Sequence, residues 1–434
     1  MTDARAAPAV DRRYLAGVRS VVLLLPKTGY RNDDFLAAAR RLGVAVIHAS
    51  DACHQLAEQW EEMPLALRSR DAAAAADELA REVAAQKPAA VVGVDDLTAL
   101  VAALASEKLG LPHNPPQAVA AARSKWLSRQ RLRDAGLPVP RFLLVSPDVG
   151  DLEAMSAQIK FPCVIKPLVL SGSRGVIRAD DLAQLRAALA RLSALLRSPD
   201  LAQRRDPDLG RVLIEEFIPG PEIALEGLLI KGRLHVLALF DKPDPLDGPF
   251  FEETLYVTPS RHSAPLQAAA ARAVQEGCAA LGLMEGPVHA ELRLSLSGPR
   301  ILEIGARSIG GLCGRALRFG VGVTLEELVL RHALGELPEP PARERLAAGV
   351  MMLPIRKRGV LEEVRGVAEA KALPLIEDVV ITAHLREELI PLPEGASYLG
   401  FAFARGETAD QVESALREAA AKIEAVVKPR LPVA

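Results

Sequence analysis

The sequence predicts an α/β protein with a parallel β-sheet domain at the N-terminus, a strand-rich middle and a small α+β domain at the C-terminus. Continuous apolar runs alternate with helical segments up to residue 110, which is typical of a parallel sheet covered by helices on both faces. A proline-rich stretch at 111–116 then interrupts the chain. After residue 161 the pattern changes to short strands separated by glycine turns.

The N-terminal segments follow one another in β-α-β order. Their strands are short apolar runs, and their helices end at glycine or proline. The predicted elements are a strand at 21–25, a helix at 35–42, a strand at 44–47, a helix at 71–86 and a strand at 90–94. No GxGxxG motif follows the first strand, so we do not expect a dinucleotide site for NAD.

Length and charge limit the function. The chain has 434 residues, which suggests about three domains. Its 53 Lys and Arg residues against 55 Asp and Glu leave a net charge of −2, which argues against a nucleic-acid or membrane partner. The four cysteines have no CxxC spacing, so we expect neither a zinc site nor disulfides. The N-terminus lacks an apolar signal core, and we therefore expect a cytoplasmic protein.

The rest of the chain is predicted to alternate helices with short strands, with a linker at 338–341. The predicted elements are a helix ending at Gly136, a helix at 182–196, two strands within 211–240 joined at 231–232, a helix at 266–281, a hairpin at 288–304, strands at 350–354, 379–383 and 399–404, and a final amphipathic helix carrying Val412, Leu416, Ala420, Ile423 and Val427.

The hairpin at 288–304 carries two carboxylates that face each other. If its turn centres on Ser297-Gly298, Glu291 lies opposite Glu303. Strict alternation then gives a core face with Val288, Ala290, Leu292, Leu294, Leu302 and Ile304 and a polar face with His289, Glu291, Arg293 and Glu303. Opposed like charges are destabilising unless a cation lies between them, and Mg²⁺ fits oxygen ligands. The alternative is that Arg293 neutralises the pair at the surface.

The loop after the hairpin suits an anionic ligand. Arg307 follows Glu303 by four residues, and its guanidinium matches phosphate geometry. Gly310-Gly311 would let the backbone approach a ligand closely. An arginine in an ordinary loop salt bridge is the alternative.

A second candidate phosphate site lies at 162–177. Lys166 stands in an apolar strand, where an unpaired lysine is rare. The loop Ser171-Gly172-Ser173-Arg174-Gly175 follows, and such a loop can present backbone N–H groups to an anion. It is no Walker A motif, and alone it also fits a plain hairpin turn. Lys166 beside it favours a triphosphate site.

The segment 213–222 is a strand followed by two acids, two apolar residues and a Pro-Gly turn. It could join two lobes and place backbone groups beside an adenine ring. The alternative is that its glutamates are only solvated.

In series, these segments resemble the ATP-grasp superfamily. The helix opened by Ser124-Lys125 resembles its first-lysine segment, 162–167 its second-lysine strand, 171–175 its glycine loop and 213–222 its adenine hinge. The resemblance implies a two-lobed ATP-grasp fold between the two outer domains. The implied domains are an N-terminal domain at 1–113, a small lobe at 114–218, a large lobe with the metal site at 219–344 and a C-terminal domain at 345–434.

The resemblance also implies residue roles. They are phosphate contacts from Lys125 and Lys166, a closing loop of Ser171, Gly172, Ser173 and Gly175, adenine contacts from Glu215, Phe217 and Ile218, a ribose contact from Glu222, metal ligands Glu291 and Glu303, and a catalytic Arg307. The implied cofactors are ATP and Mg²⁺, with Mn²⁺ as an alternative ion. Gly305 stands where many members have Asn, so a second ion would lack that ligand.

The C-terminal segment narrows the resemblance to the L-amino acid α-ligases, which are dipeptide synthetases. Residues 349–355, 390–401 and the final helix resemble their last domain. Residues 249–254 resemble a segment in which a glutamate contacts the amino group of the first amino acid, here Glu253, with Glu252 as the alternative. The other implied substrate residues are His289, Ser308, Gly310 and Gly311. Gly311 takes the place of a bulky residue, which predicts a roomier pocket.

The implied activity is the ATP-dependent joining of a carboxylate to an amine through an acyl phosphate, with release of ADP and phosphate. Both partners are expected to be small molecules, and the resemblance is compatible with a homodimer. His289 would be a base toward the amine or, alternatively, a packed histidine. Other interpretations are a carboxylase or nucleotide-precursor ligase on the same fold, or an ATP-binding scaffold without turnover.

Overall fold

The computed structural model describes residues 19–27, 29–50, 65–67, 71–148, 150–202 and 206–429. Cys53 lies outside these residues, whereas Cys163, Cys278 and Cys313 are buried free thiols.

The N-terminal sheet is parallel, as predicted, with strand order β3-β2-β1-β4. Its elements are β1 (Ser20–Leu24), α1 (Asn32–Arg41), β2 (Ala45–Ser50), β3 (Leu65–Ala66), α2 (Ala72–Val83), β4 (Ala90–Gly93) and α3 (Asp96–Leu109). Every residue of β1 is buried, which explains its continuous apolar run.

A four-stranded antiparallel sheet follows, with order β5-β8-β6-β7, which we call the small sheet. Its helices and strands are α4 (Pro116–Arg123), α5 (Lys125–Asp134), β5 (Phe142–Val145), α6 (Leu152–Ser156), β6 (Cys163–Pro167), β7 (Ile177–Ala179), α7 (Leu182–Leu196), α8 (Pro199–Ala202) and β8 (Val212–Glu216). Helix α7 covers this sheet through its apolar stripe.

An eight-stranded sheet, the large sheet, forms the centre of the molecule, with order β13-β12-β9-β10-β11-β16-β20-β18. The elements from 222 to 353 are β9 (Glu222–Ile230), β10 (Arg233–Lys242), β11 (Leu255–Thr258), α9 (Ala264–Leu281), β12 (Gly286–Ser295), β13 (Gly298–Gly305), β14 (Arg318–Phe319), β15 (Val323–Thr324), α10 (Leu325–Ala333) and β16 (Ala347–Leu353). Because β11 pairs with β16, this sheet continues across the border predicted at 344/345, and the predicted domain limits stay predictions.

The C-terminal segment adds two strands to the large sheet and builds a separate sheet with order β19-β17-β21. Its elements are β17 (Gly359–Arg365), α11 (Val367–Lys371), β18 (Ile376–Ile381), β19 (Glu388–Leu389), β20 (Gly400–Gly406), α12 (Ala409–Lys422) and β21 (Glu424–Lys428). The prediction of one helix through Val427 is wrong, because α12 ends at Lys422. Val427 lies in β21, where it pairs with Leu361 of β17.

The segment 211–240 holds parts of three strands, not two. Strand β8 belongs to the small sheet and β9 to the large sheet, so residues 217–221 carry the chain from one sheet to the other. The Pro-Gly turn that the sequence marks there is this crossing. Gly220 has φ +118, and a Cβ on it would lie 2.3 Å from the carbonyl oxygen of Leu294, so glycine is required for the close approach to β12.

The hairpin β12–β13 places Glu291 opposite Glu303, as predicted. The turn is one residue earlier than expected, because Ser295 pairs with Gly298. A bulge between Glu291 and Leu292 then adds a residue on β13 and restores the predicted pairing. The same bulge makes the core prediction for Leu302 wrong. Ile301 is the buried core residue, and Leu302 lines the pocket described below.

Within the described residues, no helix is both long enough and apolar enough to cross a membrane.

Candidate active site

A pocket opens between the small sheet and the large sheet, beside the crossing at 217–221. Fourteen predicted site residues line it, and they come from both sheets, from α5 and from the loops between them. They are Lys125, Lys166, Ser171, Gly172, Ser173, Glu215, Phe217, Ile218, Glu222, Glu253, His289, Glu291, Glu303 and Arg307. Four predicted site residues lie outside this lining, namely Gly175, Ser308, Gly310 and Gly311.

One part of the pocket is an apolar slot. Val164, Leu246 and Phe251 are buried there together, and Val176 and Phe217 pack against them. These side chains come from β6, the residue before β7, the crossing and the loop after β10. An apolar slot of this kind suits a planar ring such as a nucleobase.

Lys166 is paired with a buried carboxylate. Its Nζ donates to Glu215 at 3.0 Å, and Arg129 places Nε 2.9 Å from the other oxygen of the same carboxylate. Glu215 and Arg129 are each 2% exposed. Burial alone would raise the pKa of Glu215, but Arg129 and Lys166 outweigh it and lower that pKa to about 2. Glu215 therefore fixes Lys166 at the wall of the pocket. Its adenine contact stays a prediction.

Lys125 provides the second ammonium group of the pocket. It is the first residue of α5, and its Nζ donates to the carbonyl oxygen of Leu170 at 2.8 Å. The same Nζ lies 3.2 Å from Oε2 of Glu303. A lysine at a helix N-terminus adds its charge to the positive end of the helix dipole, which favours anions.

The glycine loop joins β6 to β7 with left-handed backbone at Gly172 and Ser173, where φ is 63 and 54. Its end is tied to the C-terminal segment. The N–H of Gly175 donates to the carbonyl oxygen of Pro393 at 2.8 Å, and Nε of Arg174 donates to that of Glu394 at 2.9 Å. The backbone of Gly175 is therefore engaged away from the pocket.

Three glutamates surround a buried ammonium group at the opposite side of the pocket. Nζ of Lys242 lies 2.6 Å from Glu222, 2.5 Å from Glu253 and 3.3 Å from Glu291. Although burial acts to lower the pKa of Lys242, the three carboxylates raise it well above its ordinary value. For the carboxyl group of Glu253, burial raises the pKa, and the charge of Lys242 opposes this increase only in part. The cluster is stabilised because Lys242 contacts all three acids and Arg293 contacts Glu222 as a second cation.

His289 lies between two glutamates on the same sheet. Its Nδ1 is 3.2 Å from Oε2 of Glu226, and its Nε2 is 3.6 Å from Oε1 of Glu291. Glu226 is fully buried and also accepts the backbone N–H of Ile309, at 3.0 and 3.1 Å from its two oxygens. Burial acts to lower the pKa of His289, but Glu226 and Glu291 raise it. Glu226 thus fixes the ring with Nε2 toward Glu291.

The carboxylates fit a hard divalent cation by donor chemistry. Glu222, Glu253 and Glu291 offer oxygen atoms that all lie within 4.8 Å of one another, and oxygen is the ligand that Mg²⁺ prefers. Lys242 already supplies a positive charge to these three. Glu303 is outside that group and is 28% exposed beside Lys125. The Glu291–Glu303 metal pair therefore stays a prediction.

Arg307 closes the pocket on the side of the N-terminal domain. Its Nε lies 3.1 Å from Oδ1 of Asp96, and its Nη1 donates to the carbonyl oxygen of Ser308 at 3.1 Å. Burial acts to lower the pKa of Arg307, whereas Asp96 and Glu303 raise it. Ser308 itself is buried and accepts a hydrogen bond from Arg31 at 2.5 Å. Ser308 therefore faces the N-terminal domain.

The prediction of a roomier pocket at Gly311 is wrong. A Cβ on Gly311 would lie 2.8 Å from Cε1 of Phe401, so an aromatic ring of the C-terminal segment fills the space beside the glycine. Tyr30 and Tyr398 pack edge-on against Phe401, with ring centroids 5.2 and 5.8 Å away. Gly311 also has φ +59. Glycine suits position 311 because the backbone is left-handed there and because the chain packs closely against Phe401.

Three charged residues beside the pocket were missed by the sequence reasoning, namely Arg129, Glu226 and Lys242. A signal existed for Lys242. It ends the apolar run of β10, and the rarity of buried lysine that singled out Lys166 applies equally to it. Arg129 and Glu226 carried no signal, because their partners lie 86 and 63 residues away in sequence.

Comparisons with known proteins identify two domains. Residues 159–316 match the ATP-grasp domain, and residues 351–428 match the L-amino acid ligase C-terminal domain 2. An L-amino acid ligase of Bacillus licheniformis, known from its crystal structure, is 27% identical. It superposes with a TM-score of 0.79 over 94% of this chain and 99% of its own.

Two curated relatives are similar over shorter spans. Carnosine synthase 1 of Gallus gallus is 31% identical over 281 residues, which are 62% of this chain and 30% of that protein. The D-alanine–D-alanine ligase of Aromatoleum aromaticum (strain DSM 19018 / LMG 30748 / EbN1) is 31% identical over 203 residues, which are 46% of this chain and 60% of that protein. The chain thus spans less than two thirds of each of these relatives.

We expect Gly311→Ala to lower the free energy of unfolding by about 1–3 kcal/mol, because the substitution strains a left-handed residue and crowds Phe401. Urea titration measures this change. Gly310→Ala is the matched control, since no atom lies within 4 Å of a Cβ there, and it should change stability by less than about 0.5 kcal/mol. Equal effects of the two substitutions would contradict the packing described for Gly311.

We expect Lys242→Met to lower the free energy of unfolding by about 3–5 kcal/mol, because it removes the buried cation that three carboxylates share. Lys428→Met removes a lysine of an exposed ion pair with Glu362 and should cost less than about 1 kcal/mol. Urea titration of both variants checks this. If Lys242→Met were as stable as the control, the buried ammonium would not be needed for the cluster.

Proposed function

We propose that this chain, which matches the ATP-grasp domain and the L-amino acid ligase C-terminal domain 2, joins the carboxylate of one amino acid to the amino group of a second. The observation that carries the proposal is the pocket itself. Two lysines, paired acids and an arginine converge beside an apolar slot, between two sheets. This combination suits a nucleoside triphosphate together with a small charged acceptor.

In the proposed arrangement the nucleotide lies across the pocket. The apolar slot around Phe217 and Phe251 takes the base. Lys125 and Lys166 bind phosphate oxygens. Their ion pairs with Glu303 and Glu215 hold the two ammonium groups in position for this contact. Glu222 takes ribose hydroxyls. The backbone of Ser171, Gly172 and Ser173 covers the phosphates and excludes water, which would otherwise hydrolyse an activated carboxylate.

Glu291 and Glu303 are the residues that would hold magnesium. When bound, the ion would neutralise the negative charge of the phosphates. Both glutamates come from one hairpin, and the register places them opposite each other. The hairpin is a rigid support, because β12 is paired on both sides.

The proposed reaction has two steps. A carboxylate oxygen of the first amino acid attacks the γ-phosphorus, the bond to the β-phosphate oxygen breaks, and ADP leaves. The amino nitrogen of the second substrate then attacks the acyl carbon, phosphate leaves, and the nitrogen loses a proton. Arg307 stabilises the anionic oxygens in both steps. Glu253 takes the amino group of the first substrate, and His289 is available to hold the proton of the attacking amine.

We expect phosphate release to require an acid and an amine together, with ADP as the nucleotide product. The measurement is a matrix of amino acids offered as both substrates, with phosphate and nucleotides quantified. ATP binding without release would favour a scaffold, and a requirement for bicarbonate would favour a carboxylase. Formation of AMP and pyrophosphate would contradict the acyl-phosphate route.

We expect Glu303→Gln to reduce turnover about 100-fold or more, because it weakens the site proposed for the metal. Glu363→Gln, which changes an exposed glutamate paired with Arg365, is the control and should keep full turnover. Circular dichroism and urea titration establish that both variants are folded. Undiminished turnover of Glu303→Gln would contradict the metal assignment.

A further inference from the structure

The loop 306–315, which we call the arginine loop, is held by the N-terminal domain at three points. Asp96 pairs with Arg307 at 3.1 Å. Arg31 donates to the hydroxyl oxygen of Ser308 at 2.5 Å. Asp34 accepts two hydrogen bonds from Arg315, both at 2.9 Å. Only the first of these contacts involves a residue that lines the pocket.

Asp96 stands on a rigid platform. It is the first residue of α3, and Asp95 caps this helix by accepting the N–H of Thr98 at 2.7 Å. The hydroxyl of Thr98 in return accepts the N–H groups of Val94 and Asp95 at 3.0 and 2.9 Å. This capping box fixes the backbone that carries Asp96.

The end of β4 packs tightly against the backbone that carries Asp96. A Cβ on Gly93 would lie 2.2 Å from the backbone of Thr98, so the end of β4 touches the first turn of α3. Arg31 also donates to the carbonyl oxygen of Val94. The negative charge of Asp96 is in addition favoured at the positive end of the helix dipole.

Arg307 is fixed in direction by two contacts. Asp96 takes Nε and the carbonyl oxygen of Ser308 takes Nη1. Both nitrogens belong to one planar group, so the two contacts set the plane of the guanidinium. The Arg307 side chain is 12% exposed and Asp96 is 20% exposed, which leaves little solvent to weaken the pair.

We propose that Asp96 is a positioning residue that orients Arg307 in the pocket, so that the N-terminal domain completes the active site. This inference rests on the role proposed for Arg307 above. Asp96 acts through the arginine and is not itself assigned a contact with substrate. Asp96 affects the turnover rate because it fixes the direction of the Arg307 guanidinium. A small displacement of a positioned group lowers the rate by up to about 100-fold.

The alternative is that the pair is only a link between domains. The chain offers a matched control for this, since Asp34–Arg315 joins the same domain to the same loop. Asp34 is 20% exposed, as is Asp96. Asp34 and Arg315 are not among the residues that line the pocket. A purely structural role predicts the same consequences for both pairs.

The experiment compares Asp96→Asn with Asp34→Asn in the full chain, by steady-state kinetics and urea titration. We expect Asp96→Asn to lower kcat about 10- to 100-fold, with KM for ATP changed less than about twofold. Asp34→Asn should leave kcat within about twofold of that of the unsubstituted protein. It should lower the free energy of unfolding by about as much as Asp96→Asn does. Equal kcat of the two variants would overturn the proposal.

A double-mutant cycle with Arg307→Lys shows whether Asp96 acts through the arginine. We expect Asp96→Asn to have almost no further effect on kcat in the Arg307→Lys background. The same fold-loss in both backgrounds would overturn the proposal. If Arg307→Lys kept full activity, the role of Arg307 itself would fall, and the inference with it. An impaired Arg307→Lys with a fully active Asp96→Asn would overturn the inference alone.

Discussion

The pocket depends on the neutralisation of buried carboxylates by cations from other parts of the chain. Glu215 is neutralised by Arg129 and Lys166. Glu222 is neutralised by Lys242 and by Arg293, whose Nε is 3.0 Å away. An acid in such a place is costly unless it is paired. The first set of pairs therefore joins α5 to the small sheet, and the second set joins β9, β10 and β12 of the large sheet.

The same constraint prepares the pocket for an anionic ligand. Lys125 and Lys166 are aligned at its wall by Glu303 and Glu215 before any ligand is bound. A phosphate group that meets pre-aligned ammonium groups costs little side-chain entropy on binding. If the proposed function is correct, Glu303 and Glu215 position the lysines that bind the nucleotide. Glu303 is in addition a proposed metal ligand.

Loops that cover the pocket are tied to the two outer parts of the chain. Gly175 and Arg174, at the end of the glycine loop, bond to the C-terminal segment at Pro393 and Glu394. The arginine loop packs under Phe401 from the same segment and is bonded to the N-terminal domain through Asp96, Arg31 and Asp34. The glycine loop is therefore held by the C-terminal segment, and the arginine loop is held by both outer parts of the chain.

The sequence by itself determined the parallel N-terminal sheet and the order of the site segments, because these follow from apolar periodicity and from the order of the chain. The predicted pairing of Glu291 with Glu303 also holds, but it depends on an earlier turn and a compensating bulge that only the structure shows. The sequence identified most of the pocket lining through the ATP-grasp resemblance. Only the tertiary structure decided the partners of Glu215 and Glu226, the place of Lys242 among three acids and the contact of Gly311 with Phe401. Each of these depends on charge or packing between segments far apart in sequence, and local pattern carries no information about which distant side chain will be there.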